Sequence, residues 1–133
     1  MALKVEVSVG ELLDKITILE IKSERITDPE KLKNVTKELE VLTRTWRESP
    51  MSDRDVAPQI DALKRVNEEL WDIEDAIRRK EAAQAFDDEF IALARAVYHR
   101  NDVRAAVKKD INTMLGSGLV EEKFYVDYGT SQE

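Results

Sequence analysis

Apolar residues return at intervals of three and four through most of this chain, a period that suits one face of an α-helix and excludes a sheet as the main architecture. Leu32, Val35, Leu39, Leu42 and Trp46 form one such stripe. Ile60, Leu63, Val66, Leu70, Ile73 and Ile77 form a second, and Phe90, Leu93, Val97, Ile111 and Leu115 a third. Ahead of them, Leu12, Leu13, Ile16 and Leu19 share one arc of a helix while Ile18 and Ile21 fall nearly opposite, so this first helix should be sandwiched between neighbours.

Local signals set the boundaries. Ser8-Val9-Gly10-Glu11 has the pattern of a capping box and predicts a helix from Val9 to about Arg25. Asp28-Pro29 restarts the chain as a second helix, since proline fits a first turn and Asp28 can cap it. The stretch from Glu48 to Pro58, with two prolines, reads as the one long loop. A third helix is expected from Ala57 to Ala83, roughly 40 Å long at 1.5 Å per residue. A turn at Gln84 to Asp87 then leads into a fourth, which Gly116 should end in a left-handed cap. At the two ends, Leu3, Val5, Val7 and Val9 alternate with polar residues, as do Phe124, Val126 and Tyr128. Short terminal strands are expected there, paired with each other.

Short connections make consecutive helices antiparallel neighbours. The expected fold is therefore mainly α: one domain over residues 1–133, an antiparallel four-helix bundle of two helical hairpins, the second longer than the first. Its protruding apolar surface needs cover, and a second copy of the chain would supply it. A homodimer is expected.

Composition removes several classes of function. The 133 residues include no cysteine and one histidine, which excludes thiolate chemistry and any site needing two imidazoles. A net charge of −7 opposes binding to a nucleic-acid backbone, and no segment is long and apolar enough for a membrane span. The first residues lack a signal peptide's apolar core, so a cytoplasmic location is expected. His99, opposite the fourth stripe, reads as a surface residue. Gly116-Ser117-Gly118 sits at a helix C-terminus, where the dipole repels an anion.

Winding the helices at 100° per residue sets Asn101, Arg104 and Lys108 on the apolar arc of the fourth helix, Asn67 and Glu74 on that of the third, and Glu20 on that of the first. A buried polar cluster of Glu20, Asn67, Glu74, Asn101 and Arg104 is expected. It can fix helix register by pairing Arg104 with Glu74 or Glu20, or hold a small anionic ligand against Arg104 and Lys108.

Glu68 to Asp75 is the densest acidic run. Part of it is similar to the all-α nucleoside-triphosphate pyrophosphohydrolases, whose metal segments read E-E-x-x-E and E-x-x-D. Glu69 to Asp72 matches the second, and only Glu11 survives of the first. That similarity implies a Mg²⁺ site on Glu11, Glu69 and Asp72, joined by Asp102. Otherwise no cofactor is expected, and the run is a solvated face beside Arg78, Arg79 and Lys80.

Over nearly its whole length, through Val7 to Lys22, Leu70 to Asp75, Tyr98 to Arg104 and Val120 to Lys123, the chain resembles an uncharacterised family of small bacterial or phage proteins. The resemblance implies a cytosolic helical protein and no particular reaction. The leading expectation is a non-catalytic, homo-oligomeric interaction module with a polar cluster that takes a small anionic ligand; the alternative is the pyrophosphohydrolase.

Overall fold

In the computed structural model, which describes residues 1–128, the capping signals act where the sequence places them. Ser8 accepts a hydrogen bond from the Glu11 N–H at 3.1 Å and opens α1, Val9–Arg25. Asp28 accepts from Glu30 N–H at 3.1 Å at the start of α2, Pro29–Glu48. A single 3₁₀ turn at Pro50–Asp53 interrupts the expected loop and leads to α3, Ala57–Ala82. Gln84 closes that helix at φ 55°, a left-handed position occupied without glycine, and Asp87 then caps α4, Asp88–Leu115. Gly116, at φ 61°, ends α4 as expected.

These four helices make an all-α bundle of two hairpins. Within it α1 is the hub: it packs on α2, α3 and α4, whereas α2 rests mainly on α1 and the 3₁₀ turn. This is why α1 is apolar on two sides, with Leu13, Ile16 and Ile21 all buried. The core gathers where the first half of α1, the start of α3 and the end of α4 meet. Val9, Leu13, Ile16, Val56, Leu63, Ile111 and Leu115 form it, and Leu39, Leu42 and Trp46 of α2 close its edge. Val56 comes from the segment read only as a loop.

The rest of the long hairpin is different. No residue from Trp71 to Asp110 is buried; Ile73, Ile77, Phe90, Leu93 and Val97 are half-covered, with the facing helix of the hairpin as their main cover. The α3–α4 arm therefore protrudes, as the unequal hairpins implied.

The terminal strands are not found among the described residues. Residues 1–7 are exposed and without regular structure. Residues 119–128 run back along α4 instead of joining them, because their side chains are engaged elsewhere. Glu122 meets Lys109 at 3.2 Å, Lys123 meets Asp102 at 2.8 Å, and Tyr128 bonds Asp102 and packs its ring 5.2 Å from that of His99. Alternation alone does not make a strand; a ladder also needs a free edge beside it.

Candidate functional site

The first half of α1 lies unusually close to the last turns of α4. Gly10 permits this: a Cβ there would stand 2.6 Å from the Lys108 carbonyl oxygen and 3.0 Å from Asn112 Oδ1. At that crossing the Gly10 N–H donates to Asn112 Oδ1 at 2.7 Å, and Val9 N–H donates to Ser117 Oγ at 3.2 Å. Ser8 Oγ, besides capping α1, donates to Glu121 at 2.7 Å.

One turn further along α1 is Asp14, with a side chain only 1% exposed. Arg104 grips it with two bonds, Nε to Oδ1 at 3.0 Å and Nη2 to Oδ2 at 2.6 Å. Asn67 Nδ2 donates to the same Oδ1 at 2.9 Å and to Thr17 Oγ1 at 3.0 Å, while Thr17 donates back to the Asp14 carbonyl. Lys108 binds Glu11 at 2.6 Å and stands 3.9 Å from Asp14. The carboxylate of Asp14 raises the Arg104 pKa further above its ordinary value, so this arginine is permanently charged. Two cations thus face two carboxylates, Asp14 and Glu11, and their charges cancel. The arrangement is a clasp holding α1, α3 and α4 in register, with little field left to attract an anion.

Beside the clasp, a recess of about 330 Å³ is lined by Ile18 and Ile21 of α1, Asn67, Leu70, Trp71, Glu74 and Asp75 of α3, and Asn101 and Arg104 of α4. Four of the expected cluster residues, Asn67, Glu74, Asn101 and Arg104, therefore share one space. Asn101 Oδ1 accepts a long bond from Arg104 Nη1 at 3.5 Å. Glu20 does not line this recess; its charge acts on Lys64. The partner of Arg104 is Asp14, in place of either Glu20 or Glu74. Asp14 carries a readable signal, since it lies four and seven residues before Ile18 and Ile21 on the second buried arc of α1. The amide of Asn112 and the hydroxyl of Ser117 were likewise absent from the expected set.

The carboxylates of the metal alternative are separated and engaged. Glu11 is paired with Lys108, Glu69 with Arg100 at 3.3 Å, and Asp72 with Arg25 at 2.6 Å. Among the described residues no three His, Asp or Glu side chains converge to hold a metal ion. Asp102 belongs to the C-terminal segment's attachment. Lys123 first, and Tyr128 second, hold its carboxyl below the usual aspartate range.

A larger cleft of about 1130 Å³ opens between α4 and the C-terminal segment, walled by Tyr98, Ala105, Lys109, Lys123 and Tyr125 among others. Its cations are likewise paired: Lys109 with Glu122 and Lys123 with Asp102.

Fold and clasp together define a small helical bundle closed by an ion pair whose carboxylate is buried and whose arginine is half-covered, with no helix among the described residues long and apolar enough to cross a membrane. The chain belongs to the Family of unknown function (DUF6165), whose model matches residues 3–131. Comparison with curated proteins and with solved structures gave no match.

Proposed function

We propose that this chain is a non-catalytic, cytosolic interaction module that works as a homodimer through its α3–α4 arm. The carrying observation is that forty consecutive residues, Trp71 to Asp110, contain none that is buried, although the arm displays Ile73, Ile77, Phe90, Leu93 and Val97 along one seam and Phe86, Ile91 and Tyr98 beyond it. An isolated pair of helices buries too little apolar surface to be rigid. A second arm laid against the first would convert the pair into a four-helix layer. The charges favour another copy of this chain as the occupant. Glu68, Glu74 and Asp75 of the acidic run, and Arg78 and Arg79 after it, enter no ion pair within the chain among the described residues, so two arms running in opposite directions set each basic pair against the other's acidic groups.

The cancelled charges of the clasp support a structural role for Asp14, Arg104, Glu11 and Lys108, which favours register-setting over capture of an anion. Light scattering at micromolar concentration tests the dimer. The expected mass is twice the 15.3 kDa of the chain. Ile91→Glu, at an exposed site, should return it to a single copy with the helical circular dichroism unchanged; a monomeric wild-type protein sinks the reading.

A further inference from the structure

The cleft of about 1130 Å³ between α4 and the C-terminal segment suits an apolar occupant. The cations that line it are all spent: Arg104 on Asp14, Lys108 on Glu11, Lys109 on Glu122 and Lys123 on Asp102. Ala105 and Ala106 of α4 lie on one side of it, and Tyr125 and Val126, 78% and 89% exposed, on the other. The segment most in need of such cover starts at one end of this cleft. Ser8, fully buried, donates to Glu121, and the Gly10 N–H donates to Asn112; both acceptors belong to the cleft lining. Residues 1–7 leave from that point without regular structure, and among the described residues they make no hydrogen bond or ion pair. Leu3 and Val5 are 91% and 78% exposed. In an extended chain Leu3, Val5 and Val7 share one side, and Lys4 and Glu6 the other. The lengths agree as well: seven extended residues reach about 23 Å, and the span of α4 from Tyr98 to Asn112 along the cleft is about 21 Å.

We propose that residues 1–7 are a strap that closes into this cleft of their own chain, the exposed arrangement being its open state. Closing turns Leu3, Val5 and Val7 inward against Ala105, Ala106 and Tyr125 and leaves Lys4 and Glu6 in water. Side chains make the contact, with no backbone ladder. The gain from burying three aliphatic side chains only narrowly offsets the ordering of seven residues, so the open and closed states lie close in free energy. This assignment stands apart from the dimer: strap and cleft belong to one copy, and the test below separates contact within a chain from contact between chains.

Because the chain has no cysteine, Lys4→Cys places a single nitroxide on the outward side of the strap. In the NMR spectrum of the labelled protein, the amide signals of Ala105, Ala106 and Lys109 should lose most of their intensity. Adding Leu3→Asp and Val5→Asp should restore it with the helical circular dichroism unchanged, since neither residue lies in a helix. A mixture of nitroxide-bearing chains without isotope and isotope-labelled chains without nitroxide should show full intensity at the same amides. Full intensity in the first sample overturns the strap, as does equal broadening in the aspartate variant. Broadening that arises in the mixture also overturns it, and assigns the cleft to the first residues of a second copy.

Discussion

Asp14 and Arg104 stand 90 positions apart in the chain and meet through two hydrogen bonds, with the carboxylate almost wholly sealed from water. Removing one side of such a pair strands the other. Arg104→Met should therefore leave Asp14 with Asn67 and a distant Lys108, at a cost near the lower end of the range for a broken buried pair, about 3 kcal/mol, because Arg104 keeps some exposure. A fall of roughly 10 °C in melting temperature is expected by calorimetry. The double variant Asp14→Leu/Arg104→Met should recover part of that loss, since it leaves no unpaired charge.

Gly10 and Gly118 make an internal control for close approach. A Cβ at position 10 meets backbone at 2.6 Å, whereas at position 118 nothing lies within 4 Å. Gly10→Ala must force α1 from α4 and lengthen the Gly10–Asn112 bond, costing about 2 kcal/mol in denaturant unfolding. Gly118→Ala should change the midpoint by little.

Asp102 makes the C-terminal segment's attachment sensitive to acid. Its carboxyl titrates below the ordinary value of 3.8 because Lys123 and Tyr128 donate to it. A depressed acid contributes stability that is complete above the ordinary value and disappears as pH falls through the depressed one. Cross-peaks between the Tyr128 and His99 rings should accordingly persist at pH 5 and above, and vanish below the usual aspartate range before the helices melt. Asp102→Asn should weaken the same cross-peaks at neutral pH.

Hydrogen exchange should divide the molecule by burial. Amides around Leu13, Ile16 and Leu63 belong to the core and should exchange only on global opening, while those from Ile73 to Val97 should exchange through local opening of the arm. If two arms pair, the protection of Ile73 to Val97 rises with protein concentration and that of Leu13 does not. A uniform pattern at all concentrations contradicts both parts.

The helices were legible because their causes are local. Ser8, Asp28 and Gly116 act on the turn beside them, and α1 begins and ends at Val9 and Arg25 as its caps and stripe require. The convergence of Asn67, Glu74, Asn101 and Arg104 was legible for a related reason: on two helices joined by a short turn, periodicity and register are nearly the same information. The identity of the carboxylate facing Arg104 was not. It depends on where α1 crosses α4, which the missing Cβ of Gly10 decides, and a winding argument treats each helix without its crossing partner. The terminal segments misled in another way. Their alternation is genuine, but in the absence of an edge to bond, the side chains of Lys123 and Tyr128 found Asp102 on α4 instead.

The helix on which the other three lean is also the earliest to emerge during synthesis. At roughly 5–20 residues per second, Asp14 leaves the ribosome several seconds before Arg104 exists to receive it. Until then α1 has only α2 and α3 to cover its two greasy flanks, and Asp14 has the Asn67 amide but no cation to meet it. The cation that neutralises the first helix's sealed acid thus comes from the last helix to be made.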